Sequence, residues 1–168
     1  MPKIIEDLEQ RLVEEARLQA ARGGYSAVNI RSVAAACGVG VGTVYNYFAS
    51  KDELLAAFLL ADWKDCVTRI GLAGEHARSP RPVLECICAE LQAYLEAHKA
   101  IFRDEAAAAG FGSAIGKYHG LLRSQLALPL RRFYPDGFTA DFVAEALLTW
   151  TVEGKTPEEL LPIMEKFT

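Results

Sequence analysis

Three consecutive polar side chains near the N-terminus offer the clearest chemistry in this sequence. They are Tyr45, Asn46 and Tyr47, and they lie between the apolar residues Val44 and Phe48. A short helix that buries Val44 and Phe48 would expose this run, which a purely structural helix rarely does. Tyrosine hydroxyls and asparagine amides can reach the phosphates and base edges of a DNA major groove. The alternatives are that the tyrosines pack against the first helix and that Asn46 faces water.

The charges around this run favour contact with an anion. The whole chain has a formal net charge of -4 and contains 22 acidic residues, but none of them lies between Ala16 and Lys51. The same stretch carries the cations Arg17, Arg22, Arg31 and Lys51. Because only the surface that faces DNA meets phosphate, a local positive face on an acidic protein is compatible with DNA binding. Lys51 could instead be an ordinary surface charge.

Two short helices joined by a glycine-containing turn are predicted to position these side chains. Ala34 lies where the two helices would cross, because only a small side chain allows close approach. Gly38 can adopt the backbone geometry of a tight turn, and Val44 would enter the core that the two helices share. This spacing is typical of a helix-turn-helix. An ordinary helical hairpin within a bundle is the alternative.

Capping and breaking residues set the expected helix boundaries in this region. An amphipathic first helix should end at Gly23 and Gly24. Asn29 is a suitable N-cap for a second helix over residues 30–37, and a third helix is expected over residues 41–48. The sequence Ser-Lys-Asp-Glu at residues 50–53 matches the capping-box pattern, which predicts the start of a long fourth helix.

Helical periodicity also dominates the rest of the chain, so the expected fold class is all-α with about nine helices. Four of the later helices are expected at residues 99–109, 121–133, 139–153 and 157–167. Gly110 should end the first of these four, and Pro129 should kink or end the second. We therefore divide the chain into a helix-turn-helix domain at residues 1–50 and a larger helical bundle at residues 51–168.

The sequence carries no pattern that predicts a membrane span, a secretory signal or catalysis. No apolar stretch approaches the roughly 18 residues of a membrane span, and the N-terminus turns acidic at Glu6, so a cytoplasmic protein is expected. Cys86 and Cys88 would point to different faces of a helix and could not chelate one ion well; a redox role stays open. The histidines form no metal or catalytic set, so no metal, cofactor or enzyme activity is expected.

The first third of the chain resembles the tetracycline-repressor (TetR) family. The resemblance lies in Arg-Gly-Gly-Tyr at 22–25, Val-Ala at 33–34, Cys-Gly-Val at 37–39, Gly-Thr-Val-Tyr at 42–45, Tyr-Phe at 47–48 and Ser-Lys-Asp-Glu-Leu-Leu at 50–55. The remainder of the chain agrees with the family only in helix count and length.

The resemblance implies a role in DNA binding for a defined set of residues. That set is Asn29, Arg31, Gly42, Thr43, Tyr45, Asn46, Tyr47 and Lys51. Lys51 would anchor a phosphate at the start of the long helix. Gly40 and Val41 depart from the family, which often has serine and a basic or polar residue there. These departures motivate the alternative of a same-fold regulator that binds DNA weakly and acts through protein partners.

The resemblance also implies a homodimer in which the C-terminal helices of two copies form a four-helix interface. The apolar residues predicted for this interface are Phe142, Leu147, Trp150, Leu160 and Met164. These helices are too apolar for a free surface, although an ordinary monomer core would produce the same pattern. Two-fold symmetry fits a palindromic operator in double-stranded DNA.

A small-molecule pocket in residues 51–168 is the family's usual regulatory device, so the resemblance implies a ligand-responsive regulator, by default a repressor. Effector binding would move the long helix and change the spacing of the two DNA-reading heads. The predicted lining residues are Trp63, Cys66, Ile87, Tyr94, Phe102, Phe111, Tyr118, His119 and Trp150. Each could equally belong to the plain core. Their aromatic character with a few polar tips favours an apolar or aromatic effector.

Overall fold

The computed structural model describes residues 7–134 and 136–167, except for the side chains of residues 106 and 108–117. Within these residues the chain forms nine α-helices and two short 3-10 turns, and no strand, which confirms the all-α fold class. The helices are α1 (Leu8–Ala27), α2 (Ile30–Ala36), α3 (Val41–Tyr45), α4 (Lys51–His76), α5 (Pro80–Ala97), α6 (Lys99–Phe102), α7 (Glu105–Ala127), α8 (Gly137–Val152) and α9 (Pro157–Met164). The 3-10 turns are Leu128–Leu130 and Glu165–Phe167.

Helix α1 is amphipathic, and its buried face consists of Leu8, Leu12, Ala16, Ala20 and Gly24. The stop predicted at Gly23 and Gly24 is present as a kink, because both glycines leave helical torsion angles before a last turn reaches Ala27. Gly24 has a φ of +73°, a conformation that glycine adopts without a steric penalty.

Helix α4 begins with the side-chain bonds that the capping pattern predicts. The backbone N–H of Glu53 donates to the Ser50 hydroxyl at 3.1 Å. The Glu53 carboxylate in turn accepts from the backbone N–H of Ala49 at 2.7 Å, one residue before the expected position. Two N–H groups at the helix start are thereby satisfied, which fixes the position of the first turn of α4.

Helix α7 corrects the boundaries predicted for residues 99–133. The sequence predicts an end at Gly110 and a new helix from Leu121, but the structure has a short α6 and then one continuous helix, Glu105–Ala127. A glycine inside a helix costs about 1 kcal/mol relative to alanine and does not by itself end the helix. Pro129 lies in the 3-10 turn that follows α7, so the interruption predicted at this proline is present.

The chain folds into two compact units. The first unit contains the described residues up to Asp62 together with His98–Ser113, and the second contains Trp63–Ala97 and the described residues from Ala114 onwards. The second unit has an apolar core to which α5, α8 and α9 contribute Val83, Leu84, Ile87, Leu91, Val143, Leu147, Leu160 and Met164, among others. The predicted functional division after residue 50 stays a prediction.

Burial gives the cysteines the character of small core residues. Cys37, Cys66 and Cys88 are buried, Cys86 is half-buried, and all four are free thiols. Burial raises the pKa of Cys66 to about 12 and that of Cys88 to about 11, so both thiols are protonated at neutral pH. Across residues 7–134 and 136–167, no helix has the length and apolar character needed to cross a membrane.

Candidate nucleic-acid interface

The cap predicted at Asn29 forms at the start of α2. The backbone N–H of Arg31 donates to the Asn29 side-chain oxygen at 2.8 Å. Gln19 supports this cap from α1, because its side-chain oxygen accepts from the Asn29 backbone N–H at 3.2 Å and from the Ser32 hydroxyl at 2.8 Å. These bonds fix the start of α2 and leave the Arg31 side chain exposed. Asn29 therefore holds the helix start, in addition to the DNA contact predicted for it.

The turn between α2 and α3 is held by backbone hydrogen bonds. The N–H of Val39 donates to the Ala34 carbonyl at 3.0 Å, and the N–H of Gly38 donates to the Ala35 carbonyl at 3.1 Å. This is the Schellman pattern of a helix end, which requires a left-handed residue at the Gly38 position. Gly38 has a φ of +71°, and a Cβ added there would meet no atom within 4 Å. Backbone conformation, not lack of space, therefore selects glycine here.

The residues predicted to form the interior of the helix-turn-helix are buried. Ala34 and Val44 are 1% and 0% exposed, and Phe48 is also buried. Arg11 joins α1 to the end of α2, since its guanidinium donates to the Cys37 carbonyl at 3.0 Å while the Cys37 thiol donates to the Arg11 carbonyl at 3.5 Å. The angle between α2 and α3 is therefore set by buried contacts on both sides of the turn.

The predicted contact residues of α3 lie at the surface. Tyr45 is 51% exposed and Tyr47 is 40% exposed, and Asn46 is also exposed. Gly42 is exposed and Thr43 is half-buried. Helix α3 ends at Tyr45, before the expected end at residue 48, so Asn46 and Tyr47 lie in the turn after it. Three neighbouring hydrogen-bonding side chains thus face solvent at the end of α3 and in the turn after it.

Lys51 lies over the aromatic ring of Tyr25. Its Nζ is 3.8 Å from the ring centroid, within the range of a cation–π contact. The Tyr25 hydroxyl donates to Asp52 Oδ1 at 2.8 Å. Burial lowers the pKa of Lys51, and the charges of Asp52 and Asp104 oppose that shift. Tyr25 is therefore the direct neighbour of the predicted phosphate anchor.

A charged cluster behind the helix-turn-helix was not predicted from the sequence. Arg17 on α1 forms an ion pair with Asp62 on α4, and its guanidinium lies 5.2 Å from the centroid of the Phe58 ring. His98, which is 7% exposed, lies 3.1 Å from the same Asp62 oxygen. Burial lowers the pKa of His98, assisted by Arg17 and opposed by Asp62. These residues are far apart in the sequence, so no local pattern could reveal the cluster.

The residues predicted to line a ligand pocket are divided between the units. In the second unit, Trp63 packs edge-on against Tyr94 at 5.5 Å between ring centroids and donates to the Gln125 side-chain oxygen at 2.7 Å. Cys66 and Ile87 are fully buried in the same core. The remaining predicted residues of that unit are Tyr118, His119 and Trp150, of which the first two are half-buried and Trp150 is exposed.

Two predicted pocket residues lie elsewhere. Phe102 belongs to the first unit and is 40% exposed, and the side chain of Phe111 lies outside the described residues. His119 bonds to the Glu145 carboxylate at 2.8 Å. In the described part of the second unit, an open groove of about 280 Å³ contains none of the predicted lining residues. Its walls are Gly71, Gly74, Glu75, Leu128, Pro129 and Arg132.

The residues predicted for a dimer interface fall into two groups. Leu147, Leu160 and Met164 are buried in the core of the chain's own second unit, so they are not available as a surface for a partner. Phe142 and Trp150 are 46% and 48% exposed. When one face of α8 is buried in the core, the opposite face points outward. The apolar residues of this helix therefore include both core residues and exposed ones.

An exposed aromatic row continues from Phe142. Phe138, which is 80% exposed, stacks on Phe142, and Phe142 contacts Phe167 edge-on at 5.5 Å between ring centroids. Ile163 on α9 is also exposed. We call Phe138, Phe142 and Phe167 the aromatic row. Solvent-facing aromatic rings that contact one another form an apolar patch of the kind that marks an interaction surface.

Comparison with known proteins gives matches that agree with this geometry. Residues 12–58 match the family described as bacterial regulatory proteins, tetR family. The chain is 33% identical over 84 residues to the HTH-type transcriptional repressor KstR of Rhodococcus jostii strain RHA1, a match that covers 49% of this chain and 38% of that protein. It is 41% identical over 68 residues to KstR of Mycolicibacterium smegmatis, covering 39% of this chain and 33% of that protein.

The similarity to solved structures extends further along the chain. The transcriptional regulator FadR from Bacillus subtilis, solved in complex with stearoyl-CoA, aligns over 95% of this chain and 98% of its own chain. The TM-score is 0.56 at 14% sequence identity, so the likeness is one of fold. The matches to the two repressors, by contrast, cover less than two fifths of those proteins.

Proposed function

Because residues 12–58 match the tetR family of bacterial regulatory proteins, we propose that this chain is a ligand-responsive transcriptional repressor of that family. In this proposal two copies bind a palindromic operator, and a small-molecule effector releases them from the DNA. Such a protein acts in the cytoplasm, where the chromosome lies. The observation that carries the proposal is the exposed run Tyr45, Asn46 and Tyr47 on a firmly held helix-turn-helix, with Lys51 close in sequence.

Each side chain of this surface suits one kind of DNA contact. The tyrosine hydroxyls of Tyr45 and Tyr47 and the ammonium of Lys51 suit phosphate oxygens, which fix the register of a protein on the duplex. Asn46 suits an adenine edge in the major groove, where an amide can form two hydrogen bonds. Arg31 is exposed at the start of α2 and suits a base or a phosphate.

The aromatic row supports a homodimer as the DNA-binding species. Phe138, Phe142 and Phe167 present contiguous apolar surface that a second copy of the same row can cover around a two-fold axis. Two recognition elements related by such an axis require two half-sites related in the same way, which is the meaning of a palindromic operator. Trp150 and Ile163 extend the exposed apolar surface on α8 and α9.

An apolar or aromatic effector is the ligand class we infer for the second unit. The paired rings of Trp63 and Tyr94 lie in the apolar core of this unit, with the Gln125 amide as a hydrogen-bonding neighbour of Trp63, and an apolar or aromatic ligand suits such surroundings. The FadR structure with the similar fold contains stearoyl-CoA, a ligand with a long apolar chain. That likeness supports an effector with a substantial apolar part.

Binding of DNA fragments that flank the protein's own gene tests the proposal. We expect salt-sensitive, sequence-selective binding, with log affinity falling linearly against log salt concentration. Tyr45→Ala and Lys51→Ala should each weaken binding by about tenfold or more. Lys51→Ala should also lower the salt slope by about one ion. Lys64→Ala, which removes an exposed cation of α4 in the second unit, is the matched control and should bind as the wild type does.

The second candidate is a regulator that binds DNA weakly and acts through protein partners. Gly40 favours it, because α3 begins without a side-chain cap, and so does the apolar Val41 at the first position of that helix. This candidate predicts weak binding that Tyr45→Ala and Lys51→Ala leave unchanged. A loss of tenfold or more in either variant would reject it.

Sedimentation of the purified protein tests the dimer. The wild type should sediment as a dimer at micromolar concentration, and Phe142→Asp should shift it towards monomer by placing a charge within the aromatic row. Leu128→Asp introduces the same charge at a leucine that is 67% exposed and outside the row, and it should leave the dimer intact. A wild type that sediments as a monomer would contradict the dimer without affecting the DNA-binding surface of one copy.

A further inference from the structure

Tyr25 and Lys51 form a contact that the DNA-binding surface described above does not explain. The Lys51 ammonium lies 3.8 Å from the centroid of the Tyr25 ring, and the Tyr25 hydroxyl donates to Asp52, the residue next to Lys51. One aromatic side chain therefore contacts the first two residues of α4 at once. The ring supports the ammonium group, while the hydroxyl holds the ring to the side chain of the residue that follows the lysine.

The backbone on both sides of Tyr25 is held in place. Gly24 has a φ of +73°, and a Cβ there would lie 2.3 Å from the Ala100 carbonyl oxygen on α6. Ser26 donates from its backbone N–H at 2.7 Å and from its hydroxyl at 3.1 Å to the two carboxylate oxygens of Asp104. The position of the Tyr25 ring is therefore determined by the fold of the first unit, before any DNA is bound.

We propose that Tyr25 is a positioning residue that orients the Lys51 ammonium for contact with a DNA phosphate. The proposal rests on the proposed function, since it concerns the same DNA-binding surface. A free lysine side chain has many rotamers and loses that freedom when it binds a phosphate. A cation–π contact restricts the ammonium to the face of the ring but uses none of its N–H donors. The Lys51 side chain has therefore already lost part of its conformational entropy before it binds the phosphate.

This arrangement also connects the lysine to α6. Ala100 belongs to α6 and Asp104 follows it, and both contact the segment Gly24–Ser26 in which Tyr25 lies. A displacement of α6 would therefore move the ring that supports Lys51. Arg31, the other predicted cation of the surface, is linked instead to α1, because Asn29 caps its backbone N–H and Gln19 on α1 supports that cap.

A double-mutant cycle on DNA affinity tests the proposal. The probe is a duplex of about 30 base pairs that the wild type selects from a random pool, and affinity is measured by fluorescence anisotropy at several salt concentrations. Tyr25→Leu removes the ring and should weaken binding about threefold to tenfold. Tyr25→Phe keeps the ring and should recover most of that loss. In a Lys51→Ala background, Tyr25→Leu should have no further effect, because the group it positions is absent.

Two results would overturn the proposal. An equal loss from Tyr25→Leu in the wild-type and Lys51→Ala backgrounds would mean that Tyr25 acts through the fold or touches DNA itself. Wild-type protein that selects no duplex would remove the proposed function and this inference together, whereas normal selection with an additive cycle would remove the inference alone.

A measurement on the free protein keeps the test independent of folding in the Tyr25→Leu variant. In lysine-labelled protein, the ε-methylene protons of Lys51 should show an upfield ring-current shift in the wild type and in Tyr25→Phe. That shift should vanish in Tyr25→Leu, while the signals of Lys64, an exposed lysine in the second unit, stay unchanged. A Lys51 signal at the random-coil position in the wild type would overturn the proposal.

Discussion

The two units differ in whether charged side chains pack against their buried residues. In the first unit, Arg17 lies over the Phe58 ring and pairs with Asp62. His98 is buried beside the same carboxylate. The described core of the second unit is apolar along α5, α8 and α9, and its buried Tyr134 hydroxyl donates to a backbone carbonyl at 3.2 Å. A partly buried charge needs particular partners in particular places, whereas an apolar core mainly needs the right volume.

The two units also differ in how they match known sequences. The match to the tetR family covers residues 12–58, which lie in the first unit. There, Gly38 is required by a left-handed turn and Asn29 by a helix start, so few other residues can replace them. In the apolar core of the second unit one aliphatic residue can replace another with compensating changes nearby, so the fold places weaker demands on the residue at each position.

The comparison predicts that loss of volume in the second unit has the largest effect. Leu147→Ala removes a side chain that is 0% exposed, and it should lower the free energy of unfolding by about 2–5 kcal/mol in urea denaturation. Leu128→Ala is the matched control, since Leu128 is 67% exposed and should change stability by less than about 0.5 kcal/mol. Equal effects of the two substitutions would contradict the assignment of the core.

The next largest effect is the loss of stability on replacing either of two glycines in the first unit. One is required by backbone conformation alone, and the other also by close packing. Gly38→Ala should cost about 1–2 kcal/mol, because alanine resists the left-handed conformation but meets no neighbour. Gly24→Ala should cost more, because its φ is nearly the same and its Cβ would also lie 2.3 Å from the Ala100 carbonyl oxygen. Chemical denaturation of both variants measures the difference, and a Gly24→Ala variant as stable as Gly38→Ala would show that α6 yields freely.

Substitution of two glycines of α4 in the second unit should have a smaller effect on stability, and the two changes should have opposite signs. Gly71→Ala adds a Cβ to open space, so the higher helix propensity of alanine should stabilise the protein by about 0.5–1 kcal/mol. Gly74→Ala should destabilise it, because the new Cβ would lie 2.7 Å from the Cβ of Pro129. The melting temperatures of the two variants check this prediction. A higher melting temperature than the wild type in both variants would contradict it.

The smallest effect is a pH dependence that belongs to the first unit. Burial lowers the pKa of His98 from its ordinary value of 6.5, so the unfolded chain binds a proton there more readily than the folded protein does. The contribution of this residue is fully present above pH 6.5 and is lost as the pH falls towards the depressed pKa of the folded state. The groups around the ring include Arg17 on α1, Asp62 and Phe58 on α4, and Phe102 on α6.

Melting curves between pH 7.5 and pH 5.5 measure this contribution. The wild type should lose more stability over that interval than His98→Gln, which cannot titrate. A wild type that becomes more stable on acidification, relative to the variant, would mean that attraction to Asp62 outweighs burial.

Local signals in the sequence were sufficient to predict most of the first unit's helix-turn-helix. Asn29, Gly38 and the Ser50–Glu53 pattern act on their own neighbours, so their effect can be read without knowing the rest of the fold. Fold class and most helix positions followed from periodicity in the same way. The break predicted at Gly110 was wrong because glycine only weakens a helix, and α7 continues through it.

Contacts between distant segments could not be predicted. The pairing of Tyr25 with Lys51 depends on the kink at Gly24 and on the approach of α6, neither of which leaves a periodic signal. The interface predicted on α8 and α9 illustrates the same limit. An apolar pattern states that Leu147 and Phe142 both avoid water, but only the packed structure shows that the first is buried within the chain and the second faces outward.

The turn at Gly38 has a consequence for how such a protein can change its target. Two backbone hydrogen bonds and one glycine shape the turn between α2 and α3, and the outward residues of α3 take no part in those bonds. Point mutations at those outward positions can therefore alter the recognised base sequence while the helix stays where it is. A gene duplicate could acquire a new regulatory target through a few substitutions, with no need to rebuild the fold that presents them.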